Sequence, residues 1–232
     1  EQNFVHLLNE SGYQTAFVGK WHLGHNENTP VAFGFDYSFG AGATGGAGSR
    51  FYPFNTKVKP DKPEKSAIPD VQEAGKEGDY LSDLLTTATI DYIKTAKRDQ
   101  PFFAMLSYYA VHTPLEANPE DKKRNAKEIA ADDYGDTPEY IKEGEGRRKM
   151  RQDDPDYAGM VENVDENVGR LLSTLKELGI DKNTIIVFSS DHGGLSNDGH
   201  KWQRHLATTN HPLRAGKGWL YEGGIRVPLI LH

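Results

Sequence analysis

The sequence predicts an α/β fold with a largely parallel central sheet flanked by helices. Three observations predict it. A helical pattern followed by a short apolar strand pattern occurs three times in order along the 232 residues. The apolar runs have strand length and the periodic segments have helix length. Each strand exits into polar residues, as expected where a parallel sheet presents ligand-binding residues at the carboxyl ends of its strands.

In the first unit, Phe4, Val5, Leu7 and Leu8 sit at helical spacing before a stop at Ser11-Gly12. The partly β-branched and aromatic run Tyr13 to Val18 follows as a strand, leading into the glycine-bounded turn Gly19-Lys20-Trp21-His22-Leu23-Gly24. After the Phe-rich segment Phe33 to Phe39, residues 40 to about 78 are rich in Gly, Pro and Lys. They read as a long irregular loop, and such loops are often functional.

In the second unit, Leu81, Leu84, Leu85, Ala88, Tyr92 and Ile93 share one helical face, with Asp79 placed to cap it. Pro101 leads into Phe102 to Tyr108, a strand expected to be buried on both sides, which ends at Val111-His112-Thr113-Pro114. Residues 115 to about 154 are charge-dense with little periodicity and read as a surface insertion or lid. In the third unit, Val161, Val164, Val168, Leu171, Leu172 and Leu175 form the apolar stripe of a helix from about Asp156 to Leu178, stopped by Gly179. Thr184 to Phe188 is then a strand that exits at Ser189-Ser190-Asp191-His192-Gly193-Gly194.

Composition bounds what such a fold can do. With 36% hydrophobic and 26% charged residues, the chain can bury a core, which excludes disorder and collagen-like structure. The length favours one large domain. No apolar run approaches the roughly 20 residues that span a bilayer, and Glu1-Gln2-Asn3 does not begin a signal peptide, so a partial chain is expected. A net charge of -7 leaves no electrostatic footprint for nucleic acid. With no cysteine, these residues encode no disulfide, thiolate metal site or Cys nucleophile.

Several residues have the chemistry of a site. An extended backbone through Lys20-Trp21-His22 would put Lys20 and His22 on one side. His112 follows a strand, and its imidazole suits proton transfer near neutrality. Asp191 and His192 directly after a strand can both reach one metal, and Gly193-Gly194 permits a sharp exit. Lys217 lies between Gly216 and Gly218, so its backbone can approach a ligand while its ammonium serves an oxyanion. Glu222 and Arg226 flank a tight Gly223-Gly224 turn and are read as a structural pair. His200, His205 and His211 match no standard zinc spacing, which points to substrate contact or plain surface. Taken singly, each of these residues also has an ordinary structural explanation.

Their order decides more than any one of them. Gly12-Tyr13-Gln14-Thr15-Ala16-Phe17-Val18-Gly19-Lys20-Trp21-His22-Leu23-Gly24 closely resembles a signature of the formylglycine-dependent (type I) sulfatases of the alkaline phosphatase superfamily. Further blocks resemble the same family in the same order. They are Pro101-Phe102-Phe103 through His112-Thr113-Pro114, then Asp165-Glu166-Asn167-Val168-Gly169, then Ser190-Asp191-His192-Gly193-Gly194, then Pro212-Leu213-Arg214-Ala215-Gly216-Lys217-Gly218, and lastly Tyr221 to Pro228.

The resemblance implies an alkaline-phosphatase-like sulfatase catalytic domain, spanning 1–232 in part, with the loops at about 40–78 and 115–154 shaping a substrate pocket. It implies Lys20 and Lys217 on sulfate oxygens, His22 orienting and deprotonating the nucleophile, and His112 serving the leaving alcohol oxygen. Asp191 and His192 would be metal ligands. Asp191 favours calcium as the first choice, and the imidazole of His192 makes manganese the second. His211 and Arg214 are candidates for substrate contact.

The family's nucleophile block, a modified Cys or Ser, and its paired aspartates would lie upstream of Glu1, and its carboxyl-terminal subdomain beyond His232. The isolated piece is therefore expected to be inactive. The implied partners are a sulfated sugar or polysaccharide and a formylglycine-generating or sulfatase-maturing enzyme, with no nucleic acid and no membrane span, in a periplasmic or secreted location. Two competing readings are a phosphonate monoester or phosphodiester hydrolase of the superfamily, and a non-catalytic sulfoglycan-binding pseudoenzyme.

Overall fold

The computed structural model describes residues 2–24, 27–42, 45–54, 68–198 and 204–232. They form two compact units, one of residues 1–116 and 160–181, the other of residues 117–159 and 182–232.

The first unit opens with helix α1, Phe4–Glu10, whose N-terminus is closed by a capping box. Asn3 Oδ1 accepts from the amides of Val5 and His6, and the His6 ring accepts from the Asn3 amide. Strand β1, Gln14–Gly19, pairs in parallel with β2, Tyr37–Phe39, and with β3, Phe102–Ser107, in the order β2-β1-β3. The central position of β1 explains why it is buried from Thr15 onward. One face packs Phe17 with Val5 and Phe35; Val18 joins Phe54, Val71, Leu81, Leu85 and Tyr109 on the other. A parallel sheet with helices is therefore what the helix-strand units build.

Four expectations are corrected in this unit. Within the stretch read as a loop, helix α2 forms at Pro69–Ala74, and Asp70 Oδ2 accepts from the Gly40 amide at 2.7 Å; residues 55–67 lie outside the described residues. Asp79 does not cap α3, Leu81–Thr95. Tyr80 is the N-cap, while Asp79 accepts from the Lys76 amide and so stabilises the preceding turn. Among the described residues, strand β3 pairs on one side alone and is half-buried rather than covered on both sides, with Met105 43% exposed.

The fourth correction concerns α5, Pro155–Glu177. It buries Met160, Asn163, Asn167 and Thr174 and, of the expected stripe, Leu175; Val164, Val168 and Leu171 are half-buried, and Val161 and Leu172 are exposed. Polar pairing with α3 explains the choice of face. Asp83 accepts from Asn163 at 2.9 Å and Asn167 at 2.7 Å, and Arg170 ties Asn167 to Thr87. Buried amides need such partners, which an apolar stripe cannot offer.

In the second unit, the charge-dense segment is ordered into helix α4, Pro119–Ile129, and a hairpin of β4, Tyr140–Glu143, with β5, Gly146–Lys149. The Lys149 ammonium is nearly enclosed and meets Asp153 at 2.5 Å and Glu139 at 2.9 Å. The expected strand from Thr184 is shorter, β6 at Val187–Ser189, and it pairs antiparallel with β7, Leu229–Leu231, in a sheet of its own. Its partner is the carboxyl-terminal run Leu229–Leu231, which helical periodicity upstream could not indicate. Among the described residues, no helix is long and apolar enough to cross a membrane.

Candidate functional site

The first unit places Lys20, His22 and His112 at the carboxyl ends of β1 and β3. The Lys20 amide donates to the Ser107 carbonyl at 2.7 Å, which pins the start of the turn to the end of β3. Gly19 precedes it with φ of 99°, against the same carbonyl, where no side chain would fit. His22 has φ of 55°, in the left-handed region. The extended geometry expected to align Lys20 with His22 is therefore absent, because the strand has ended at Gly19. A strained non-glycine residue of this kind is held by its surroundings. Trp21 supplies part of them, edge-on to Phe17 and Phe33 at 5.0 and 5.1 Å, with Nε1 donating to the Asn28 carbonyl at 2.7 Å.

Two adjacent glycines gather the histidines. A β-carbon at Gly45 would press on the His22 ring, and one at Gly46 would lie 3.7 Å from His112 Nδ1. The His112 Nδ1 is 2.9 Å from the Thr113 carbonyl oxygen. A carbonyl only accepts, so Nδ1 carries a proton there, and the ring's proton exchange takes place at Nε2. Arg50, wholly buried, donates to the carbonyls of His112, Thr113 and Pro114.

The second unit places Asp191, His192 and Lys217 on loops sewn together by backbone and by Asn210. The Gly193 amide donates to the Gly224 carbonyl at 3.0 Å, and the Lys217 amide to the Gly194 carbonyl at 3.1 Å. Asn210 accepts from the Gly194 amide and donates to Gly194, Ser196 and Ala215 oxygens, all within 3.0 Å. Arg214 is held by Glu143, with Nε and Nη2 on Oε1 at 3.0 and 2.7 Å, and its guanidinium lies 4.0 Å over the Tyr221 ring. That carboxylate holds the Arg214 guanidinium above its already high range. His211 is exposed, its amide donating to Thr209 Oγ1. Glu222 and Arg226 pair at 3.6 Å around the short helix α6, Glu222–Ile225, in the structural role expected of them. His205 pairs with Asp154 at 2.5 Å, and His200 lies outside the described residues.

Asp191 and His192 have the donor chemistry of a cation site. His192 Nδ1 meets the Gly193 carbonyl at 2.9 Å and must donate, which turns the lone pair of the neutral ring, on Nε2, toward Asp191 Oδ2 at 3.2 Å. A proton on Nε2 makes the two an ion pair, and a divalent cation would take the same two atoms as donors. The pair supplies only two donors, whereas calcium takes six to eight oxygens. Among the described residues no group of three or more His, Cys, Asp or Glu side chains converges. The residues therefore fit one corner of a divalent site.

Gly45-Gly46, Arg50 and Asn210 were not singled out by sequence reasoning. The glycine pair carried a weak signal within a Gly-rich stretch. Nothing local marks an arginine that will be buried or an asparagine that will join two distant loops.

The sulfatase family model matches residues 1–232. The chain belongs to the sulfatase family. This sulfatase chain is 31% identical over 237 residues to N-acetylgalactosamine-6-sulfatase of Rattus norvegicus, covering 97% of the chain and 38% of that protein. It is 30% identical to a sulfatase of Formosa agariphila, over 96% of the chain and 43% of the relative. The crystal structure of Ps i-CgsB in complex with k-i-k-neocarrahexaose superposes with a TM-score of 0.67 at 32% identity, covering 98% of this chain and 46% of that one. The chain thus spans less than half the length of these relatives.

Proposed function

We propose that the protein carrying this chain is a sulfuric ester hydrolase that removes sulfate from a sulfated sugar or polysaccharide. The observation that carries this reading is the gathering of His22 and His112 onto Gly45-Gly46, in a chain that the sulfatase family matches from end to end. Relatives named for sulfated sugars, and one complexed with neocarrahexaose, support the substrate class.

A formylglycine on a residue outside these 232, installed by a maturing enzyme, would supply the attacking oxygen. A divalent cation, calcium first and manganese second, held in part by Asp191 and His192, would supply positive charge to the sulfate. The chain's own residues do the rest. Lys20 and Lys217 hold sulfate oxygens and neutralise charge that grows in the transition state. His22 orients the nucleophile's hydroxyl and accepts its proton. As the bond from sulfur to the alcohol oxygen breaks, its electron pair stays on that oxygen, which takes the Nε2 proton of a doubly protonated His112 and leaves the neutral ring protonated on Nδ1; such transfers are worth about 10²–10⁴-fold. His211 and Arg214 face the remainder of the sugar. A periplasmic or secreted site of action accords with a polymeric substrate.

The test is sulfate release by the matured full-length protein from sulfated oligosaccharides, with an aryl phosphonate ester as comparison. Sulfate release with weaker phosphonate turnover is expected. A strong preference for the phosphonate, or binding of sulfated glycan with no turnover, would overturn the reading. The 232-residue piece alone should release no sulfate.

A further inference from the structure

From the packing around the His112 loop, we infer that Arg50 is a positioning residue for the proposed leaving-group chemistry, acting by fixing the orientation and tautomer of His112. The inference rests on the sulfatase reading for what His112 does, and on geometry alone for how Arg50 holds it.

Arg50 has no solvent exposure, although burying a guanidinium is costly unless its donors are matched. Its donors are spent on one short segment. Nη2 donates to the His112 carbonyl and, at 3.1 Å, to the Thr113 carbonyl, while Nε reaches the Pro114 carbonyl at 3.3 Å. Three consecutive carbonyls thus converge on one planar fork, a pattern that a flexible ammonium cannot reproduce.

The Thr113 oxygen is the decisive atom, because His112 Nδ1 also donates to it, at 2.9 Å. One carbonyl therefore receives both the arginine and the imidazole. While Arg50 holds that carbonyl in place, one proton stays on Nδ1, and the second proton of the imidazolium, on Nε2, is the one the leaving oxygen takes.

Arg50 is itself clamped. Its amide donates to Glu116 Oε2 at 2.7 Å, and its carbonyl accepts from the Leu81 amide at 2.8 Å, at the start of α3. Ser49 Oγ and Tyr80 Oη bond to Glu116 as well. Burial pulls the guanidinium below its ordinary range, while Tyr80 and Glu116 oppose that pull.

Among the described residues, Nη1 is buried with no hydrogen-bond partner. Buried donors are nearly always satisfied, and the exceptions tend to mark sites where another demand prevails. Here that demand is the alignment of Nη2 and Nε on the His112 loop.

The test uses the matured full-length protein and two substrates, a sugar sulfate with a poor leaving group and an aryl sulfate with a good one. Arg50→Lys should lower kcat on the sugar sulfate by about 10-fold or more, leave KM within about 2-fold, and change turnover of the aryl sulfate by less than about 3-fold. In a His112→Ala background, Arg50→Lys should cost little further, because both act on one proton. Equal losses on both substrates, or additive losses in the double variant, would overturn the inference.

A readout on the unmodified protein covers the case in which the variants do not fold or no sulfate ester is turned over. Imidazole ¹⁵N shifts of His112 should report Nδ1 as protonated in the neutral ring, and a neutral ring with its proton on Nε2 would overturn the role assigned to Arg50. Failure of sulfate hydrolysis with the expected tautomer would sink the sulfatase reading and leave the geometric claim standing.

Discussion

Gly45 lies against the imidazole of His22, so close that a β-carbon there would sit 2.5 Å from Nδ1 and 2.8 Å from Nε2. The ring must move if any side chain is added. Because a displacement of about 1 Å costs on the order of 10²-fold in rate, Gly45→Ala should lower kcat by about that factor. Thermal unfolding should change little, since His22 is exposed. Steady-state kinetics with a melting curve checks both halves of the prediction.

Asn210 joins the Gly194 and Ala215 loops through one carboxamide. Asn210→Ala removes four hydrogen bonds and takes away the side-chain acceptor of the Gly194 amide, at an expected cost of about 2–3 kcal/mol. Asn210→Asp should be at least as damaging to activity, because a carboxylate would face three oxygens that now accept. Urea unfolding and turnover of the two variants, measured side by side, decide the point.

Chelation tests the Asp191-His192 corner. Removing divalent cations from the full-length protein should lower both its melting temperature and its activity, with calcium restoring them better than manganese. Asp191→Ala should abolish the response to added metal. A variant that still responds as the wild type does would place the cation elsewhere.

The Lys149 cluster sets a pH dependence of stability. Burial pulls the Lys149 ammonium down, but hydrogen bonds to Asp153 and Glu139 more than reverse this, leaving it raised. A raised value means its contribution is whole below the unfolded lysine value and is lost as pH rises through the folded one. Glu139 is lowered chiefly by its hydrogen bond to Lys149, so its small, mostly solvent-screened contribution is lost as pH falls through the folded value. Lys149→Met should cost about 2 kcal/mol at neutral pH and flatten the alkaline limb. Denaturant midpoints measured from acid to alkaline pH test this.

The helix-strand units and the residues at their exits were legible because local signals encode them. Apolar periodicity marked α1, α3 and α5, and short apolar runs marked β1 and β3. Edges and faces were not legible. Hydrophobicity does not discriminate at β3, because Phe102–Ser107 is apolar whether the strand is central or at an edge. Among the described residues it pairs on one side alone, with β1, and Met105 is left exposed. At α5, an apolar stripe and an amide-rich stripe were both present in sequence. Asp83, eighty residues away from Asn163, selected the amide face.

For the site, residue types and their order carry the family resemblance from which Lys20, His22, His112, Asp191 and Lys217 are proposed for one chemistry. Tertiary structure decided how each side chain is held. His22 is turned into a left-handed backbone by a strand that stops at Gly19, His112 is oriented by an arginine sixty-two residues away, and Lys217 rides on a loop tied down by Asn210. The physical reason is range. Propensity and periodicity act over a few neighbouring residues, whereas a buried guanidinium or carboxamide must find its carbonyls wherever the folded chain brings them.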